Sequence, residues 1–170
     1  MENFDFHVTT DIRFGKDRLA ELPEVLNQFG KKVLIVYGGG SIKKIGLYDK
    51  VMEQLKANGN DVFELAGVEP NPRIETVRRG AEICRKENID VILAVGGGST
   101  IDCAKVVAAA TKFDGDAWDL VLQRRKYQGG ALPLVTILTL AATGSEMNSG
   151  AVISNLSTHQ KLGTGSKVML

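Results

Sequence analysis

VILAVGGGSTID (residues 91–102) decides how the rest of the chain is read. Five apolar residues in succession fit a strand buried on both faces rather than one half open to water. The three glycines that follow have no Cβ. Backbone at Gly96, Gly97 and Gly98 can therefore approach a ligand closely and adopt positive φ. Ser99 reads as an N-cap, and the helix expected over 101–111 aims its free N–H groups back at the turn. A diphosphate is what such a turn holds. A tight strand-to-helix turn with no ligand would also use glycine, and one triplet does not separate the two readings.

The triplet is not alone. VLIVYGGGSIKK (33–44) repeats the pattern of apolar strand, three glycines and helix. Working outward, apolar spacing predicts helices over 19–29, 42–56 and 73–86 and strands over 33–37, 62–65, 89–95, 134–140 and 151–153. EPNP (69–72) is a turn, FDGDAWDL (113–120) reads as irregular, and 4–14 as one or two extended segments. Strands alternate with helices. The fold class is therefore α/β, a Rossmann-like parallel sheet with helices on both faces, preceded by an extended N-terminal segment. Ligands of such sheets bind beyond the carboxyl ends of the strands. Both glycine turns fall there, and so does TLAATGSEMN (139–148), whose Thr139, Thr143 and Ser145 supply hydroxyls.

Bulk composition narrows the function. The 170 residues are 44% hydrophobic and 24% charged, with 21 basic and 20 acidic side chains and a net charge of +1. Nothing in that balance favours nucleic acid or an anionic membrane as partner. MENFDFHVTT carries Glu2 and Asp5 and does not read as a secretory signal. Cys84 and Cys103 are expected to be reduced, buried thiols, in keeping with a cytoplasmic protein. His7 and His159 are the only histidines, too few for a metal site of this chain's own.

The two turns differ. Asp102, read as lying in the first helical turn beside a diphosphate, is better placed to address a nicotinamide ring or a substrate-side water than the phosphates. The first turn has Gly38, Gly39, Gly40 and Ser41 followed by Lys43 and Lys44, with no acid to grip a ribose 2′-hydroxyl. Open backbone, a hydroxyl and ammonium groups suit a 2′-phosphate, so NADP is favoured over NAD.

GGGSTIDCAK, EPNP and LAATGSEMNSGAVIS together resemble the N-terminal half of the iron-containing, metal-dependent alcohol dehydrogenase family, and most closely its NADP-linked butanol dehydrogenase and aldehyde reductase members. The resemblance runs from about residue 12 onward. It implies that residues 1–170 form the dinucleotide-binding domain of an enzyme interconverting alcohols and aldehydes. Gly96, Gly97, Gly98 and Ser99 would hold the pyrophosphate, with Asp102 at the nicotinamide, the catalytic end. Thr139, Leu140 and Thr143 would line the adenine and phosphate side, Asn71 the adenosine ribose, and Lys161 the nicotinamide ribose. Gly38, Gly39, Gly40 and Ser41 would take the 2′-phosphate. The family's Fe or Zn ligands, one Asp and three His, are implied to lie in a helical domain beyond residue 170. This chain is then expected to bind NADP(H) without turning over an alcohol, and a homodimer is implied. A stand-alone nucleotide-binding module and a glycerol dehydrogenase or dehydroquinate synthase relative are the alternatives.

Overall fold

The structure, a computed structural model, describes residues 9–169. Four parallel strands form its centre: β1 (Lys32–Tyr37), β2 (Asp61–Leu65), β3 (Val91–Gly96) and β4 (Leu134–Leu138). Their order across the sheet is β2-β1-β3-β4. Alternate side chains leave opposite faces of a strand, and both faces are covered here. Leu34, Val36, Ile92 and Ala94 join one apolar cluster with α4 (Ile74–Glu87), α5 (Gly98–Lys112) and α6 (Ala117–Gln123). Val33, Ile35, Tyr37, Val91, Leu93 and Val95 join another with α1 (Leu22–Leu26) and α3 (Leu47–Ala57). That two-sided burial is why these strands read as apolar runs.

From β1 the chain first builds β2 on one side, then returns to place β3 on the other. The order therefore reverses between β1 and β3, where an open sheet of this kind forms its ligand crevice. Tyr37 pairs with Val95 across that junction, so the two glycine turns begin side by side. Strand order is invisible in the sequence. It supplies the reason the repeated turn can serve one ligand.

Several elements depart from the expected ones. The helix expected over 19–29 is a 3-10 turn (Arg18–Glu21) followed by only five α-helical residues. The one expected over 42–56 breaks into α2 (Ser41–Lys44) and α3, because Gly46 takes φ +72 between them. FDGDAWDL is not irregular: Asp116 accepts from the Trp118 N–H at 2.9 Å and caps α6. The strand expected over 151–153 is half of an antiparallel hairpin, β5 (Gly150–Asn155) with β6 (Gln160–Gly165). β6, with Gly163 and Gly165 in it, carries little apolar signal. Residues 9–14 hold no strand, and 1–8 of the expected extended segment lie outside the described residues. Among the described residues no helix is long and apolar enough to cross a membrane.

Candidate functional site

Three loops meet at the carboxyl edge of the sheet. After β1, Gly38 to Gly40 lead into α2, and Gly40 needs its φ of +113 to make the turn. A Cβ on Gly39 would meet nothing within 4 Å. After β3, Gly96 to Gly98 lead into α5. After β4, residues 139–149 fold back across the mouth of α5, and the Thr139 N–H donates to the Gly96 carbonyl at 3.0 Å.

The glycines of the second turn are not there for positive φ, as the sequence reading had it. None of the three has it; Gly97 is extended at φ −91, ψ −170. Two of them are small because of what they pack against. A Cβ on Gly96 would sit 2.5 Å from Thr100 Oγ1, and one on Gly98 2.5 Å from Thr143 Oγ1 and 3.2 Å from Ser145 Oγ. Those two are packing glycines. At Gly97 the nearest atom is Leu140 Cβ at 3.8 Å, so no protein atom requires a glycine there.

Ser99 is likewise not the N-cap. α5 begins one residue before it, with Gly97 at the cap, and the Ser99 hydroxyl donates instead to the Pro70 carbonyl. The EPNP turn is thus fastened to the start of α5. A second fastening joins Asn71 to β6, where Lys161 Nζ donates to Asn71 Oδ1 at 2.7 Å. Two residues 90 apart in sequence, both expected to address ribose, are brought into contact.

Asp102 lies past the first turn of α5, not within it. It is half-buried, and Oδ2 accepts the Val152 N–H of β5 at 3.0 Å. The carboxylate is therefore held by the hairpin as well as facing the cleft. The residues that line that cleft, about 1130 Å³, include Asp102, Thr143, Ser145, Asn148, Arg124 and Lys126. It is large enough for the nicotinamide half of a dinucleotide. Neither Gly38 to Gly40 nor Gly96 to Gly98 is among its walls, and a Cβ on Gly40, as on Gly39, would meet nothing within 4 Å. Leu140, beside Gly97, is 67% exposed.

The first turn does have an acid nearby, which corrects the expectation of none. Glu64, one residue before the end of β2, accepts from the Tyr37 hydroxyl at 2.5 Å and the Tyr48 hydroxyl at 2.9 Å. Burial first, then these bonds to the carboxylate, push both phenols up to about 12. Lys43 Nζ stands 5.0 and 4.4 Å from the centres of the same two rings. Glu64 escaped the sequence reading because β2 had to be placed beside β1 before its carboxylate could be assigned to that turn. Asn148, the hub of the third loop, escaped for a similar reason: its partner Lys105 lies on the distant helix α5.

The rim fits a dinucleotide. A glycine with no packing reason stands at the mouth of a 15-residue helix, whose first N–H groups have no intrahelical acceptor. A metal is another matter. Among the described residues no three His, Cys, Asp or Glu side chains gather where they could hold an ion, and no metal-borne step is assigned to them. Cys84 and Cys103 are free and buried, and burial raises their thiols to about 11 and 12.

Comparison with known proteins bears on the family and the fold. Residues 9–170 match the family described as iron-containing alcohol dehydrogenase. A probable NADH-dependent butanol dehydrogenase 1 of Bacillus subtilis is 57% identical over 169 residues, 99% of this chain and 43% of the relative. An NADPH-dependent aldehyde reductase of Escherichia coli is 44% identical, covering 95% of this chain and 41% of the reductase. Among solved structures, an NADH-dependent butanol dehydrogenase A from Thermotoga maritima superimposes with a TM-score of 0.92 at 46% identity, over 99% of this chain and 42% of that one. The chain spans less than half the length of the relatives it matches. On the family match and these identities, it belongs to the iron-containing alcohol dehydrogenase family.

Proposed function

We propose that this chain is the dinucleotide-binding domain of an NAD(P)-dependent, metal-dependent alcohol dehydrogenase of the butanol dehydrogenase kind. The observation that carries the reading is Gly97: extended, at the cap of α5, and glycine for no reason internal to the protein. Backbone N–H groups of Gly98 and Ser99 take the diphosphate, and the helix dipole favours its charge. Gly96 lets Thr100 close beneath the turn, and the Thr143 and Ser145 hydroxyls face the same phosphates. Asn71 and Lys161, already in contact, address ribose hydroxyls together, with Thr139 and Leu140 flanking the adenosine side. Asp102 stands where the cleft opens and orients the nicotinamide end. When bound there, the nicotinamide would supply the hydride acceptor or donor for interconverting an alcohol and an aldehyde. Turnover belongs to an enzyme that also holds a metal, Fe or Zn, on ligands outside the described residues.

At the ribose end our reading is NADP(H). Gly38, Gly39 and Gly40 leave open backbone, Ser41 adds a hydroxyl, and the ring-stacked Lys43 adds a cation beside them. NAD(H) is the second reading, favoured by the NADH in the names of the relatives at 57% and 46% identity and by Glu64 beside the turn. Buried free thiols favour a cytoplasmic site. Exposed Ile12 and Phe14 favour a homodimer through the N-terminal segment.

Titrating each dinucleotide against the fluorescence of Trp118, the only tryptophan, tests both levels. Saturable binding is expected, with NADPH at least about tenfold tighter than NADH, the worth of one charge-assisted contact to a phosphate. Equal affinities, or tighter NADH, would replace the first ribose reading with the second. Absence of binding by either would remove the proposal.

A further inference from the structure

Lys105 is the one residue of the GGGSTIDCAK stretch whose chemistry is still unaccounted for. It is 3% exposed, in the middle of α5, and none of the ion pairs among the described residues involves it. A buried ammonium without a carboxylate is unfavourable unless its protons are fully used. Here they are. Nζ donates to the Asn148 carbonyl, to Asn148 Oδ1 at 3.2 Å and to the Gly150 carbonyl at 3.1 Å. Burial lowers the ammonium's pKa, while Asp102 and Glu146, the acids that face it, act in the opposite sense.

Two of the three acceptors belong to Asn148 of the third loop and the other to Gly150, where that loop enters β5, and Asn148 passes the restraint on. Its Nδ2 donates to the Gly144 carbonyl at 2.9 Å and the Thr143 carbonyl at 3.4 Å, and its Oδ1 also takes the Gly150 N–H at 2.9 Å. Thr143 and Ser145, hydroxyls 2.7 Å apart, are thereby set over Gly98. Spacing along α5 explains the arrangement. Gly98, Asp102 and Lys105 stand at i, i+4 and i+7 on one face. The first lets the hydroxyls approach, the second takes the Val152 N–H, and the third gathers the loop's carbonyls.

We propose that Lys105 is a positioning residue of the dinucleotide site, tying the loop from Thr143 to Gly150 onto α5 so that the Thr143 and Ser145 hydroxyls are held against the diphosphate turn. The proposal rests on the functional reading above. An apolar side chain would fill the same space but could not collect three oxygens from two chain positions.

Lys105→Met in the 170-residue chain tests it. In the absence of ligand, amides of residues 143–152 should exchange with deuterium at least about tenfold faster than in the parent, with β1 and β3 unchanged, since exchange follows local opening. NADPH should bind roughly tenfold more weakly. Thr143→Ala should weaken NADPH at least about threefold more in the parent than in Lys105→Met, because the two act as a unit. A general loss of stability would move neither the confinement of exchange to the loop nor that coupling. Asn148→Ala, at an exposed loop position, carries the same three measurements should Lys105→Met not fold. Loop exchange that matches the parent, or a Thr143→Ala effect equal in both backgrounds, overturns the role of Lys105 whether or not a dinucleotide binds. A parent chain that binds neither NADPH nor NADH overturns the functional reading instead.

Discussion

Gly98→Val is expected to weaken NADPH binding by at least about a hundredfold, roughly 2.7 kcal/mol. The first atom of the new side chain already lies 2.5 Å from Thr143 Oγ1 and 3.2 Å from Ser145 Oγ. The hydroxyl pair must leave the turn to make room, and the valine methyls then occupy the approach to the Gly98 N–H itself. Both sides of the diphosphate site are lost in one substitution. Stability should fall by only about 1–2 kcal/mol, because the third loop is exposed at Thr143 and can shift outward. Gly98→Ala, a smaller intrusion, should give an intermediate loss. Isothermal titration of NADPH beside a urea melt separates the two effects; affinity within about threefold of the parent would mean that this face of α5 does not meet the ligand.

Gly80→Leu should act on the fold instead. Gly80 lies in the middle of α4, and a Cβ there would stand 2.7 Å from Leu65 Cδ2 and 2.8 Å from Val107 Cγ2. Glycine is what lets α4 close on β2 and α5. Leucine gains up to about 1 kcal/mol of helix propensity, but overpacking a dense core costs about 1–3 kcal/mol and more where backbone must move. With β2 fixed by its pairing to β1, the seam cannot widen freely, and the expected net loss is about 2–3 kcal/mol. For a chain of this length that lowers the thermal midpoint by roughly 4–12 °C. An unchanged or raised midpoint would show that the contact between α4 and α5 is slack.

These two glycines mark what the sequence could and could not tell. The α/β alternation was legible because β1 and β3 are buried on both faces and so read as unbroken apolar runs. The helix over 74–87 was legible because Ile74, Val77, Ala81 and Cys84 form one stripe. The hairpin's second strand was not: Gln160, Lys161, Gly163 and Gly165 leave no alternating apolar face to detect. The helix expected over 42–56 runs through Gly46, yet the positive φ there ends α2. At the site, the loops were legible from glycines and hydroxyls. Their mutual fastening was not, since Ser99 to Pro70, Lys161 to Asn71 and Lys105 to Asn148 each join residues at least 29 apart in sequence. Why each glycine of the triplet is small was also hidden, because the answer lies in the neighbours. Gly96 and Gly98 answer to Thr100 and Thr143, and Gly97 to nothing in the protein.

That last difference allows the most direct test. In Gly97→Ala the added methyl meets only Leu140, at van der Waals distance, so the fold should lose less than about 1 kcal/mol, the cost of a poorer cap. Yet the methyl would stand where the diphosphate must approach the mouth of α5. The affinity for NADPH, measured by titration beside a thermal melt, is expected to fall about tenfold or more while the midpoint stays near the parent's. Parent-like affinity in a folded Gly97→Ala protein would contradict the claim that a dinucleotide is gripped at this turn.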